Sequence, residues 1–410
     1  MAIASLAPLR HRNFVLAVSS SFISSIGTWM QAVALGIYLY TTTRNPEWLG
    51  WVTLAAWLPA VIGSPVGGAV ADRWSRQRWI QFNNLIMALC ATTLATLYYT
   101  HHLSPHLVLV LALVEGLSSS SSWAAWQSLM PDLVDRDEVL AAVSLSSAQF
   151  NLGRIIGPAC ATLILAFGPV SLCFLCNAIS FVVVIVAFAF VRTAPRPAVT
   201  TPFHLVSDIT HGIRVAFANP ACRAAIVSVA VIAFFIAPFI QFIPAMAIGV
   251  FHAGKTGTSL LVTAQGAGAL CGAFLVPTLA RRTSRTFTLR LTLTLLVLSI
   301  VGYGMSPSMT WAIPMMILSG LAYVGTLNGL NATVQLHAPQ LERSRVLSLY
   351  TLALSIGYPL GGAVQGVLAH RVASLPTVTT ASGILGVLAM VYLFFRPRTL
   401  DVMGRPPATA

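Results

Sequence analysis

The sequence predicts an all-α polytopic membrane protein with twelve transmembrane helices in two pseudo-symmetric six-helix bundles. Three observations carry that prediction: a charge-poor composition, arginines confined to one side, and an internal repeat. Of 410 residues, 57% are hydrophobic and only 8% charged, where soluble domains carry about 25% charged residues. Such a chain cannot cover itself with water-compatible surface, so its solvent is largely lipid. The net charge of +13 does not point to nucleic acid. Lys255 is the only lysine, and the arginines form short clusters between apolar runs. That pattern is a topology signal facing an anionic leaflet, and no basic soluble domain accompanies it.

A membrane-crossing helix needs about 20 mostly apolar residues. Along the chain this places spans at 14–40, 48–71, 79–99, 106–129, 139–167, 170–191, 222–250, 257–280, 287–305, 309–336, 344–370 and 376–396. An even number puts both termini on one side. The termini and the even-numbered connections hold nearly all the arginines, whereas the opposite side holds only Arg44, Lys255 and Arg371. The asymmetry supports the span count and predicts cytoplasmic termini. Arg10-His11-Arg12 leads into an apolar stretch too long for a signal peptide's core, so the first span is expected to stay as an anchor.

The longest polar interval, 192–219, contains Pro195 and Pro197 and then a two-faced stretch from Phe203 to Phe217. It reads as a linker with an amphipathic helix on the cytoplasmic interface. It separates an N-terminal bundle, 1–191, from a C-terminal bundle with a short tail, 220–410. The six cysteines lie in or beside apolar segments and read as small packing residues. Cys173 and Cys176 form a CxxC spacing with no second pair or nearby histidine.

The halves resemble each other. At one constant offset Gly63 falls on Gly272, Arg73 on Arg282 and Arg76 on Arg285. Gln127 and Pro131 are echoed by Gln335 and Pro339, and Gly153 and Gly157 by Gly357 and Gly361. Parallel halves with a substrate site near the midplane belong to a recurrent transporter design.

Between spans two and three lies Gly68-Ala-Val-Ala-Asp72-Arg73-Trp-Ser-Arg76-Gln-Arg78. An acid at a helix end can pair with arginines or a neighbouring helix terminus, which fits a cytoplasmic latch; an ordinary positive-inside cluster fits too. The second copy, Arg281-Arg282-Thr-Ser-Arg285, keeps the arginines and puts Arg281 where the acid was. Span five carries Gly153-Arg154-Ile-Ile-Gly157-Pro158, a stripe of small residues that permits close helix approach with a proline that can bend the helix.

These two motifs resemble those of the major facilitator superfamily. Its loop pattern matches at Gly68, Asp72, Arg73 and Arg76 and departs at Ser75 and Gln77. Its drug-antiporter motif matches at Gly153, Gly157 and Pro158, with Ala161 and Thr162 replacing the final glycines. Pro131-Asp-Leu-Val and Arg345-Val-Leu-Ser-Leu-Tyr look like the bacterial enterobactin-exporter and macrolide-efflux branch. The resemblance implies a twelve-helix major facilitator fold in a bacterial inner membrane and secondary active transport. Its expected action is proton-coupled antiport of a small amphipathic molecule, drug- or siderophore-like. Alternatives are a lipid or lysophospholipid transporter and a non-transporting receptor or scaffold.

Glu115 in span four and Arg154 in span five are the two charges placed deep in the bilayer, where an ionisable residue marks a functional site. Burial favours the neutral acid and a neighbouring guanidinium favours the carboxylate, so the pair serves either proton exchange or structure. The family's usual arginine position in span four holds Ala112. Polar residues recur on four spans. Ser20, Ser24, Gly27 and Gln31 line span one, while Glu115, Ser119, Ser122 and Trp126 line span four. Gln241 lies between Pro238 and Pro244 in span seven, and Tyr323, Asn328 and Asn331 occupy span ten. The resemblance makes these spans the cavity lining, with Trp29, Trp57 and Trp123 as aromatic contacts, packing groups or interfacial anchors.

His101, His102 and His106 crowd one outer loop and read as solvated, so no metal is expected. Neither a Gly-x-Ser-x-Gly elbow nor a His-Glu-x-x-His motif occurs, and no second intramembrane acid joins Glu115, so no enzyme is expected. Expected partners are a small-molecule substrate, membrane lipids and protons, with no cofactor and no nucleic acid. The chain is expected to act as a monomer.

Overall fold

A computed structural model describes residues 4–192, 205–340 and 342–395, without the side chains at 4, 5, 72, 205–209, 211, 212, 344, 387 and 390–395. The fold is all-helical. Among the described residues, eleven helices are long and apolar enough to cross a membrane. Leu375–Phe395 stands where the twelfth span was expected.

The first helix is Arg12–Thr43 and the second runs in two pieces, Glu47–Trp57 and Ala60–Arg73, parted near Pro59. The third is Arg76–Tyr99, the fourth Pro105–Leu129, the fifth Val139–Phe167 and the sixth Val170–Phe190. Leu205–Ala218 is the expected linker helix; residues 193–204 lie outside the described set. The seventh helix starts at Pro220–Val231 and is then irregular to Val250. The eighth to eleventh are Gly254–Arg282, Arg285–Gly304, Met309–His337 and Arg343–Arg371.

The chain forms two compact units: Met1–Thr43 with Ala55–Thr201, and Arg44–Leu54 with Pro202–Ala410. The second unit therefore takes in a strip that precedes it by a long way in sequence. There Glu47 meets Arg371 at 3.5 Å, and Gly366 packs on the Glu47 backbone.

Each unit repeats one packing plan. In the first, helix one packs on five and six, three on four and six, and the inner piece of two on four. In the second, helix seven packs on eleven and twelve, nine on ten and twelve, and eight on ten. The turns repeat as well: Arg44 after helix one and His252 after helix seven both have φ 53, the left-handed conformation that stops a helix sharply.

Lipid tails are as apolar as leucine, so these units are held by close packing and internal hydrogen bonds rather than by the hydrophobic effect. The first unit's core at its arginine-rich end includes Phe14, Trp126, Leu129, Met130 and Phe188. Large apolar side chains such as Phe167 and Phe274 remain exposed, as a lipid-facing surface requires.

Candidate functional site

The first unit contains a continuous polar chain in its helical interior. Gln31 Nε2 donates to both carboxylate oxygens of Glu115, at 3.1 and 2.9 Å. Gln31 Oε1 accepts from Asn177 Nδ2 at 2.8 Å, and Asn177 Oδ1 accepts from Ser180 Oγ at 2.9 Å. Helices four, one and six are thus tied by four side chains, three of them buried. Space for the chain comes from Gly27, where a Cβ would lie 2.5 Å from Asn177 Oδ1 and 2.6 Å from Ser180 Oγ. Asn177 and Ser180 were missed from sequence.

Glu115 is hydrogen-bonded to Gln31. The Arg154 guanidinium lies 5.9 Å from the Trp29 ring centroid, within cation–π range. Trp29 and Trp123 both approach Phe150, at 6.1 and 5.8 Å between centroids. A cation and three partly exposed aromatic rings therefore share one patch of the first unit. Gly153 and Gly157 let helix five against helix one: a Cβ on either would lie 2.6 Å from the Ser25 or Trp29 Cβ. Pro158 is buried in a helix that continues past it, so here the small-residue motif acts as a packing surface.

Trp126 corrects an expectation. It is 5% exposed in the core, and its indole donates to Ser146 Oγ at 3.2 Å. It shares the Glu115 face of helix four, but at that depth helix five closes over the face. Ser119 is exposed, its hydroxyl turned back to the Gly116 carbonyl at 3.3 Å.

At the arginine-rich end, Arg76 donates to Asp132 Oδ2 at 2.7 Å and to the Ser128 carbonyl at 3.2 Å. These side chains are 14% and 13% exposed. Asp132 follows helix four, so the pair braces helix three against helix four inside one unit. The Asp72 side chain lies outside the described set. Arg73 and Arg78 are exposed. A Cβ at Gly68 would meet open space, whereas one at Gly67 would overlap the Ser121 backbone; the sterically required glycine is the neighbour of the motif's own.

His11, Asp135 and Glu138 also meet there, His11 Nε2 standing 2.8 Å from Glu138 Oε2. Arg10 contacts both carboxylates, at 3.2 and 2.5 Å, which makes an ion-pair cluster anchoring the start of the chain. His101, His102 and His106 are exposed, and no ligand-like cluster joins them among the described residues.

In the second unit, helix seven loses regular bonding through Ile232–Ile236 and Ala237–Ile240. Pro238 and Pro244 explain part of this, since neither can donate. Gln365 of helix eleven donates to the Phe234 and Phe235 carbonyls, both at 3.0 Å. Gln241 sits at the break beside Gly362, its amide nitrogen and oxygen both buried and unpartnered among the described residues. Such an amide is a ready contact for water or substrate. Tyr323 is buried, Asn328 exposed, and Asn331 Oδ1 accepts from Gln335 at 2.6 Å. Arg281, Arg282 and Arg285 are all exposed.

A family model described as transmembrane secretion effector matches residues 3–407. The multidrug efflux pump Tap of Mycolicibacterium fortuitum is 26% identical over 87% of this chain and 89% of its own length. The enterobactin exporter EntS of Escherichia coli is 24% identical over 93% and 92%. The staphyloferrin A transporter of Staphylococcus aureus is 30% identical, but over only 41% of this chain and 42% of its own. Among solved structures, an inward-facing, unoccupied bacterial homologue of the lysosomal transporter Spinster superposes with a TM-score of 0.74 at 15% identity. It covers 97% of this chain and 99% of the other, a likeness of fold.

Proposed function

The chain belongs to the transmembrane secretion effector family of major facilitator transporters, and on that footing we propose that it exports a small amphipathic molecule in exchange for protons. It is a polytopic membrane transporter; export, proton coupling and alternating access are our reading. So are a drug- or siderophore-like substrate, a monomeric state, a bacterial inner-membrane location and cytoplasmic termini. Export draws support from the relatives named for efflux and export.

One observation carries the coupling: the chain Glu115–Gln31–Asn177–Ser180. An ionised carboxylate only accepts, so the Gln31 amide must face it nitrogen first. A protonated Glu115 gains a donor whose natural acceptor is Gln31 Oε1. Turning that amide withdraws the acceptor now used by Asn177. A proton on helix four is thereby felt on helix six through helix one, with no long-range charge movement. The Arg154, Trp29, Trp123 and Phe150 patch offers a charge and ring faces, which suits an amphipathic aromatic substrate. Within the second unit, the buried Gln241 amide offers a donor and an acceptor of its own.

The test is ethidium export from proteoliposomes with an imposed pH gradient, comparing the parent with Glu115→Gln. The parent should accumulate dye in proportion to the gradient. Glu115→Gln should bind dye but respond to no gradient. Gradient-driven export by Glu115→Gln equal to the parent's assigns coupling to another group and sinks this reading.

A further inference from the structure

Because the two units share one packing plan, a space filled in one and open in the other points to a ligand. In the first unit an indole stands at the arginine-rich junction of helices two, three and four. The Trp79 indole occupies it, donating to Ser121 Oγ at 3.0 Å and stacking on Phe82 at 5.5 Å. Arg76 is neutralised there by Asp132.

The counterparts follow from the repeat. Helix three begins at Arg76 behind the cap Ser75, and helix nine at Arg285 behind the cap Ser284, so Thr288 stands for Trp79. Gly67 packs on Ser121, and its counterpart Val276 packs on Gly325, so Gly325 stands for Ser121. Carried on, this packing register reaches Leu336 for Asp132, one turn before the Gln340 that the Gln127/Gln335 and Pro131/Pro339 echo gives, and neither residue is acidic. An indole has become a threonine, a serine a glycine, and the acid a neutral residue.

What remains is a groove of about 280 Å³ among helices eight, nine and ten, walled by Val276, Leu289, Gly325, Ala332 and Leu336, with Arg285 on its lining. Arg285 is exposed, with Arg281 and Arg282 close in sequence and also exposed. No hydrogen bond or ion pair to Arg285 occurs among the described residues. Nearby Phe274, Leu275 and Phe287 are 70%, 58% and 51% exposed, so apolar surface continues beside the groove.

The volume falls just short of the roughly 300–1,000 Å³ that engulfs a whole small ligand, so the groove suits part of a molecule. Its wall is hydrocarbon and its charge is a guanidinium, the group best matched to a phosphate. We propose that this groove binds an anionic phospholipid, one acyl chain lying along Val276, Gly325 and Ala332 and the phosphate held by Arg285. Basic pockets between membrane helices on the cytoplasmic side are recurrent sites for such headgroups. The lipid chain supplies the packing that Trp79 supplies in the first unit. This site is independent of the substrate and direction of transport.

The experiment uses the full-length protein in phosphatidylcholine nanodiscs doped with phosphatidylglycerol carrying a diazirine in one acyl chain. After irradiation, mass spectrometry locates the label. Label is expected on residues 276–289 and 325–336, displaced by unlabelled phosphatidylglycerol and not by excess inorganic phosphate. Ala332→Phe, which fills the groove from an exposed position, should remove that label while leaving labelling elsewhere. Arg285→Gln should weaken displacement about fivefold, and Arg285→Lys should largely restore it. Equal labelling by a phosphatidylcholine probe overturns the proposal, as does displacement by phosphate alone or parent-like labelling of both Ala332→Phe and Arg285→Gln.

Discussion

The Arg76–Asp132 pair allows a prediction whose size can be worked out beforehand. Exposed ion pairs contribute only about 0.2–1 kcal/mol, whereas removing one partner of a buried pair costs about 3–5 kcal/mol. With 14% and 13% of the side chains exposed and N and O 2.7 Å apart, Asp132→Asn belongs nearer the buried limit, at about 2–3 kcal/mol. The loss arises because the carboxylate that meets Arg76 at 2.7 Å is replaced by a neutral amide. For a cooperative unit of about 200 residues, each kcal/mol moves Tm by roughly 2–4 °C. Thermal unfolding of the purified protein should therefore shift down by about 4–12 °C.

The diagnostic is the double-mutant cycle with Arg76→Gln. Each single change already removes the attraction between the pair, and the double change removes it only once, so the double variant should be less destabilised than the two single losses added together. Strictly additive losses would falsify the brace. Transport separates a brace from a latch that opens in each cycle. For a brace, turnover per folded molecule stays near the parent's; for a latch it changes even below the unfolding transition.

Three further outcomes follow from close approaches and shared donors. Gly67→Ala should lower Tm, because its Cβ overlaps the Ser121 backbone, while Gly68→Ala, which meets open space, should be neutral in the same melt. Gly27→Ala drives a methyl to 2.5 Å from Asn177 Oδ1; it should weaken the Gln31–Asn177 link and reduce gradient-driven dye export, whereas Ala32→Gly, on an exposed face, should not. Gln365→Leu removes the donor shared by the Phe234 and Phe235 carbonyls, at about 1–3 kcal/mol for each carbonyl left unpaired. Hydrogen exchange along helix seven should rise in that variant, and unchanged protection there would show that the break holds itself.

The fold was legible because the rules that set it are one-dimensional. Apolar length, arginine sidedness and a constant repeat offset need no knowledge of which helix touches which. The site was legible only where a residue is conspicuous alone, as Glu115 is. Asn177, which donates to Gln31 at the next link of the chain, lay in the most apolar candidate span, with mean hydropathy 2.7, and no stripe marked it. The available signal was the reverse: a carboxamide in the greasiest helix must answer another polar group. Asp132 was visible after Pro131 but sits in a connection, where charge is ordinary; its meaning came from Arg76 across the helix pair. Trp126 misled because periodicity reports direction around a helix and not what lies beyond it at each depth.

The repeat preserves shape and discards charge, and this bears on how the work is divided. Gly157 lets helix five onto helix one, and Gly361 lets helix eleven onto helix seven at the Phe234 carbonyl. The register of these glycines puts Tyr358 opposite Arg154. Gly116 packs on the Ala56 carbonyl and Gly320 on that of Gln265, which puts the buried Ser319 opposite Glu115. Both deep charges of the first unit thus have neutral counterparts, and the Ser319 hydroxyl is bonded within its own helix at 2.8 Å. The second unit instead carries the irregular helix, with an unpartnered amide at its break. Proton-sensitive chemistry has no second home among the described deep positions, whereas bending has no comparable home in the intact helix one. Neutralising Glu115 should therefore abolish the response to a pH gradient without altering substrate affinity, while Gln241→Leu should do the opposite. If both variants lose affinity and gradient response together, the division of labour between the units fails.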